Sequence, residues 1–386
     1  MPRFIHLHTH SHYSLLNALP KIDDLLDEAK KLNMPALALT DAGNLYGAIE
    51  FYKTAKKKGI KPILGVDFYV AVRTRKDMQA GIDNRRNRLV LLAKNYEGYK
   101  SLVKLVTDSN FEGYYYKPRI DRELIEKYNK DLICIAPSFS SDISMAMKAR
   151  NLDKAKECID FYKKIYGKEN FFMEITRHPE IQDHEGLMQQ LIKLAKETDT
   201  QIVAAHDVYY LHQEDKQARD TLMLVNTADF GDKNSGVRPG AMDDNGLEED
   251  FSFISSERAE ELFKDIPEAL DNTVKIADMC NLEITLGKWY FPDFKVESGL
   301  SHDDELKRLA YAGIPKRGLT ESKEVVDRLE YELKVIKDKG YAQYFLVVSD
   351  LLRYAHENKI LTNIRGSVAG SLTTYVTRIT NVDPLA

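Results

Sequence analysis

Apolar runs of strand length alternate with amphipathic helical stretches from the N-terminus to about residue 206, and this alternation most restricts the fold. The runs lie near residues 4–10, 35–40, 62–70, 88–93, 131–136, 170–175 and 201–206. Between them stand patterns such as Ile22–Leu32, whose Ile, Leu and Ala positions form one stripe with the charges outside. Seven strand–helix units in a row predict a parallel sheet, closed as a β/α barrel or open and doubly wound. Either architecture places function at the carboxyl ends of the strands.

The first run carries Phe4-Ile5-His6-Leu7-His8-Thr9-His10-Ser11-His12, with four of the ten histidines of the chain. In a strand this spacing puts all four on one face. Neutral imidazoles so placed can share a metal ion; the plainer reading is a polar strand edge. At or just after later strand ends stand Asp41, Asp67, Ser138, His178 and Asp207. Each alone is an ordinary turn or cap residue. Converging on one mouth, they form a candidate site.

Composition narrows the classes. A chain of 386 residues, 43% hydrophobic and 30% charged, has room for two or three soluble domains. A net charge of −5 confines any nucleic-acid contact to a local basic surface. Cys134, Cys158 and Cys280 lack C-x-x-C spacing, which argues against a disulfide frame or thiolate zinc cluster and for a cytoplasmic setting. With no apolar run of about 18 residues and no signal segment, neither membrane spanning nor secretion is expected. Residues 73–87 and 227–250 read as exposed, mobile loops. Tyr114-Tyr115-Tyr116-Lys117-Pro118-Arg119 mixes aromatic and basic residues. It reads either as a surface that stacks bases and contacts phosphates, or as a half-buried loop whose rings fill core gaps.

The alternation stops after about residue 251. Residues 257–281 read as two helices, 287–292 as a linker and 302–379 as mainly helical, with a domain boundary near 282. Arg365-Gly366-Ser367-Val368-Ala369-Gly370-Ser371 would open a helix through Leu372–Tyr375. Free N–H groups, a hydroxyl and an arginine there suit a phosphate, with Arg365, Gly366 and Ser367 as contacts. The other reading is a small-residue helix packed close against a neighbour.

Taken together these stretches resemble the N-terminal part of the bacterial DNA polymerase III alpha subunits. The resemblance rests on Phe4–His8, Met34–Asp41, Gly59–Gly65, Leu91–Asn95, Tyr115–Asp121, Pro267–Thr273, Tyr344–Val348, Arg365–Ser371 and Asn381–Leu385. It implies that residues 1–282 are a polymerase and histidinol phosphatase (PHP) domain, a distorted seven-stranded β/α barrel. Residues 283–386 would start a mainly helical polymerase palm, cut before its catalytic aspartates, so that no catalytic residue lies within this chain. Beyond Asp350 the only carboxylate side chains are Glu357 and Asp383, too few for two-metal phosphoryl transfer. The full-length protein would be a DNA-directed DNA polymerase. It would use Mg²⁺, primed template and deoxynucleoside triphosphates, with a proofreading exonuclease subunit, a sliding clamp and other holoenzyme subunits as partners.

Complete PHP domains hold up to three metals and hydrolyse phosphoesters, whereas other polymerase versions keep the domain as a scaffold. Against the family's ligand pattern this chain keeps His8, His10, Asp207 and, as a shorter carboxylate, Asp67. Asn17, Ala42, Arg88, Ser138 and Tyr209 stand where other ligands belong. Ligand number and charge decide affinity, so the mouth is expected to hold at most one weakly bound Zn²⁺ or Mn²⁺. Arg88 is expected to pair with Asp67 or Asp207. The expectation is a degenerate scaffold; the alternative is a metal-dependent phosphoesterase or 3′–5′ exonuclease.

Overall fold

The computed structural model describes residues 3–228 and 249–386, and in it the apolar runs become strands and the striped stretches helices. The strands among those residues are β1 (Ala36–Leu39), β2 (Lys61–Ala71), β3 (Arg86–Ala93), β4 (Tyr114–Tyr115), β5 (Lys117–Ile120), β6 (Leu132–Ala136), β7 (Phe171–Ile175) and β8 (Gln201–Ala204). They form one sheet in the order β4-β5-β2-β3-β6-β7-β8, with β1 paired to the first half of β2. The pairs β1–β2, β2–β5, β6–β7 and β7–β8 are parallel. The all-parallel expectation fails at β3, which is antiparallel to both β2 and β6. No helix separates β2 from β3, so the chain turns back on itself instead of crossing over.

The run at 4–10, expected as a regular strand, is extended with a bend at residue 8. Ala38 N donates to His6 O on one side, while His10 N donates to Val208 O and Val208 N to His8 O on the other. The segment therefore bridges β1 and the chain beyond β8, and closes the curled sheet as a distorted barrel. Inside lie Ile5, Leu7, Ile63, Val90, Phe172 and Val203. The outer face buries Phe68, Leu89, Phe171 and Met173 with side chains from the helices Tyr96–Phe111, Leu152–Tyr166 and His184–Glu197. Asn95 caps the first of these by accepting from Glu97 N and Gly98 N.

The expected loop 73–87 is held in place. Arg119, fully buried on β5, donates to the carbonyls of Gly113, Asp83, Arg75 and Asp77 at 2.8–3.0 Å. Arg75 is itself buried and pairs with Asp121, Glu112 and Glu123. The expected loop 227–250 lies, except for its ends, outside the described residues.

The chain folds as two compact units, Met1–Ile284 and Thr285–Ala386. The second unit packs the helices His302–Lys316, Lys323–Asp338, Ala342–Glu357 and Leu372–Val376 around Leu306, Ile314, Leu329, Leu346 and Val376. A Cβ on Gly313 would stand 2.0 Å from Val376 O, so only glycine lets these two segments approach. Among the described residues no helix is long and apolar enough to cross a membrane.

Candidate functional site

Strand alternation carries the barrel's interior face from apolar to polar toward one mouth. Ile63 is followed on the same face of β2 by Asp67, Val90 lies beside Arg88 on β3, and Phe172 is followed by Glu174 on β7. Asp207 follows β8, and His8 and His10 enter from the bridging segment. Because β3 runs backwards, Arg88 near its start reaches the same mouth as the ends of its parallel neighbours.

His8, His10, Asp67 and Asp207, chosen from the sequence, do come together, and all are buried. His8 Nε2 and His10 Nε2 each lie 3.2 Å from Asp67 Oδ2. His8 Nδ1 lies 2.7 Å from Asp207 Oδ1 and 2.8 Å from Glu174 Oε2. Glu174, which sequence reading did not single out, is thus the fifth donor. Its signal was a lone acidic residue inside the apolar strand Phe171–Ile175.

Arg88 closes on the arrangement through Asp67. Its Nε donates to Asp67 Oδ1 at 2.9 Å and its Nη2 to Asp67 Oδ2, a bidentate pair that uses both carboxylate oxygens. The guanidinium also lies 4.2 Å from the ring centre of Tyr69. Burial alone would raise the Asp67 pKa, but the charge of Arg88 and the hydrogen bonds from His10 and His8 hold it well below the usual carboxylate range. Burial would likewise lower that of His8, yet the charges of Asp207 and Glu174 outweigh it and raise it well above the ordinary value. Three carboxylates thus face two cationic groups of the protein's own.

The other positions do not supply ligands. Tyr209 stacks on His10 with ring centres 4.3 Å apart, and the Arg219 guanidinium lies over the Tyr209 ring, 4.4 Å from its centre. Ser138 donates its N–H and hydroxyl to Glu174 Oε1 at 3.0 and 3.2 Å, orienting that carboxylate. Ala42 contributes only backbone, its N–H bonded to Ser14 Oγ. Asn17 offers its carbonyl to Arg219 Nε. Asp41 is taken up by Ser11 and Ser14 as a structural anchor. The row of four histidines is divided by the bend: His6 bonds Ile254 O and packs on Phe253, His12 packs on Tyr13, and only His8 and His10 face the site. His178 pairs with Glu180 and stacks on His206.

Two groups could hold a metal ion: His8, His10 and Asp67, and His8, Glu174 and Asp207. They share His8, and the first shares Asp67 with Arg88. The donor set suits a single borderline dication, but a fixed guanidinium already pairs with both oxygens of one carboxylate.

The expected helix start at Arg365–Ser371 is displaced. Gly366 adopts φ 85°, which interrupts a helix; Ser367–Gly370 is a 3₁₀ turn, and the helix begins at Leu372 with Ser371 as its cap. The donors at the observed helix start are taken by Glu332. It accepts from Ser371 Oγ, Leu372 N and Thr373 N at 2.8–3.0 Å and is held by Arg328. Arg365, Gly366 and Ser367 are exposed.

Comparison with known proteins follows the same division. Residues 6–178 match the PHP domain, and residues 304–386 match the bacterial DNA polymerase III alpha NTPase domain. The DNA polymerase III subunit alpha of Borreliella burgdorferi is 42% identical over 99% of this chain and 33% of its own length. That of Treponema pallidum is 34% identical over 99% of this chain and 32% of its own. The chain thus spans about a third of the length of the curated relatives it matches. Among solved structures, an amidohydrolase from Chromobacterium violaceum with bound sulfate and no metal aligns with a TM-score of 0.38. It is 13% identical and covers 53% of this chain and 87% of its own.

Proposed function

We propose that the chain, which matches the PHP domain and the bacterial DNA polymerase III alpha NTPase domain, belongs to the bacterial DNA polymerase III alpha family and that its first unit is a non-hydrolytic scaffold within a replicative polymerase. The observation that carries this reading is the bidentate Arg88–Asp67 pair. A dication about 4 Å from a guanidinium meets repulsion of about 4 kcal/mol per unit charge at an effective dielectric near 20. This disfavours the group that includes Asp67, so at most one Zn²⁺ or Mn²⁺ binds, and weakly. His8, Glu174 and Asp207 would hold it.

The full-length protein, on this reading, performs template-directed DNA synthesis in the cytoplasm. It takes Mg²⁺, deoxynucleoside triphosphates and a primed template, and works with a proofreading exonuclease subunit and a sliding clamp. Residues 1–282 are its PHP domain and residues 283–386 open its palm. The trio of His8, Glu174 and Asp207 favours a second reading, a residual metal-dependent phosphoesterase or 3′–5′ exonuclease.

Metal analysis of protein purified without chelator separates the two. The scaffold reading expects one equivalent or less, lost on dialysis, and no degradation of single strands. Two or more tightly held equivalents, with nuclease activity abolished by His8→Ala, would overturn it.

A further inference from the structure

A lobe beside the barrel mouth presents aromatic and basic groups in a pattern the scaffold role does not use. Residues 72–88 and 111–119 hold eight basic against three acidic side chains, in a chain whose net charge is −5. Several of these cations are structural: Arg73 pairs with Asp83, Arg75 with Asp121, and Arg88 with Asp67. Lys76, Arg85 and Lys117 make no ion pair among the described residues.

The same lobe turns rings outward. Phe111 is 86% exposed, Tyr114 57% and Tyr116 48%, the last packed against Tyr115 with ring centres 4.7 Å apart and the rings at 69°. Tyr116 joins β4 to β5 with φ 59°, a left-handed conformation that a bulky residue adopts at a cost in backbone energy. Tyr115, by contrast, is half-buried over Arg119, with 5.2 Å from guanidinium to ring centre. The hairpin thus keeps one ring inside as a support and holds the rings on either side of it out. The four carbonyls gripped by Arg119 fix residues 75–83 against this hairpin. Lys76 and Arg85 therefore sit on a backbone ordered before any ligand arrives, which lowers the ordering cost of binding.

Open rings interleaved with unpaired cations on a rigid support match the chemistry of a single strand of nucleic acid, with bases to stack and phosphates to neutralise. We propose that this lobe binds single-stranded nucleic acid, with Tyr114 and Tyr116 stacking bases and Lys76, Arg85 and Lys117 meeting phosphates. Its place in replication rests on the polymerase reading above; the binding itself does not.

Fluorescence anisotropy with labelled oligo-dT and oligo-U of about 20 nucleotides tests it on the whole 386-residue chain. The two strands distinguish DNA from RNA as the source, and tyrosine-dependent binding of either supports the proposal. Tyr114→Ala with Tyr116→Ala should weaken binding about tenfold or more. Lys76→Glu, Arg85→Glu and Lys117→Glu together should lower the slope of log affinity against log salt by about 2. All five side chains are solvent-facing at least in part, and unchanged melting curves establish that the variants fold. No binding, binding indifferent to the tyrosines, or equal displacement of the strand by a polyglutamate peptide from wild type and tyrosine variant would each overturn the proposal. Metal content is measured separately, so a chain that binds neither metal nor single strands loses this inference and keeps the scaffold reading.

Discussion

At the scale of single residues, the site is governed by what happens to Asp67. Its carboxylate is fully buried and owes its ionised state chiefly to Arg88. Arg88→Ala leaves that charge without its main partner, and we expect a loss of about 3–5 kcal/mol in denaturant unfolding. Replacing both residues by apolar ones of similar size should cost far less, because no orphan charge remains. A second titrating residue, His184, stands away from the metal-ligand candidates, bonded to Thr176 Oγ1 at 3.0 Å and stacked on Phe139. Burial, with the charge of His178 second, pushes its pKa down to about 4. The native state therefore binds fewer protons than the unfolded chain between about pH 4 and 6.5. Stability contributed by neutral His184 is present above about pH 6.5 and lost as the pH falls toward 4, in total about 3 kcal/mol. His184→Gln should flatten that part of the stability–pH curve measured by urea unfolding. Most of the site was legible at this scale, since His8, His10, Asp67, Arg88 and Asp207 carry unusual chemistry at strand ends. Glu174 was not, because reading it required the sheet's register: only the pairing of β7 with β6 and β8 shows which face of Phe171–Ile175 meets His8.

Elements were legible where period and length agreed and illegible where a tertiary contact decided. The runs at 35–40, 62–70, 88–93, 131–136, 170–175 and 201–206 all appear as strands, since each is short, apolar and bounded by turn residues. The direction of β3 was not readable from apolar pattern, which is the same for parallel and antiparallel buried strands. The loop after β2 misled for a different reason. Its polar composition describes its solvent side, whereas its order comes from Arg119 on β5, 36 and 44 residues from the carbonyls of Asp83 and Arg75 that it binds. Hydrogen bonds from a charged donor contribute about 1.5–3 kcal/mol each when their acceptors are left unsatisfied by its removal. Arg119→Met should therefore destabilise the first unit by at least about 3 kcal/mol. Amide hydrogen exchange across residues 75–83 should rise above that of β3, which keeps its own ladder. Unchanged protection there would mean that the loop is ordered by its own turns. The same logic displaced the helix start at Leu372: small residues suggested a run from Gly366, but Glu332 on a neighbouring helix fixes the cap at Ser371.

The whole molecule pairs one unit that has the donors of a metal site with another that lacks them. Both groups able to hold a metal among the described residues lie in the first unit, where Arg88 competes for Asp67 of one of them. In the second unit, no three His, Cys, Asp or Glu side chains among the described residues come together as a metal site. Glu305 pairs with Arg308, Glu357 with Arg353, and Glu332 closes the start of the helix Leu372–Val376. Asp383 accepts from Leu385 N. In-line nucleotidyl transfer needs two cations about 4 Å apart, clamped by carboxylates that face one another, to stabilise the attacking and leaving oxygens. Among the described residues no cluster of carboxylates in the second unit can hold a metal, so we expect that the 386-residue chain by itself does not extend a primed template. Primer-extension gels with Mg²⁺ and all four deoxynucleotides give the answer directly. Added length from the purified chain, abolished by Glu332→Gln but not by His8→Ala, would place a two-metal centre in the second unit. It would also require Glu332 to leave the helix start that it now closes.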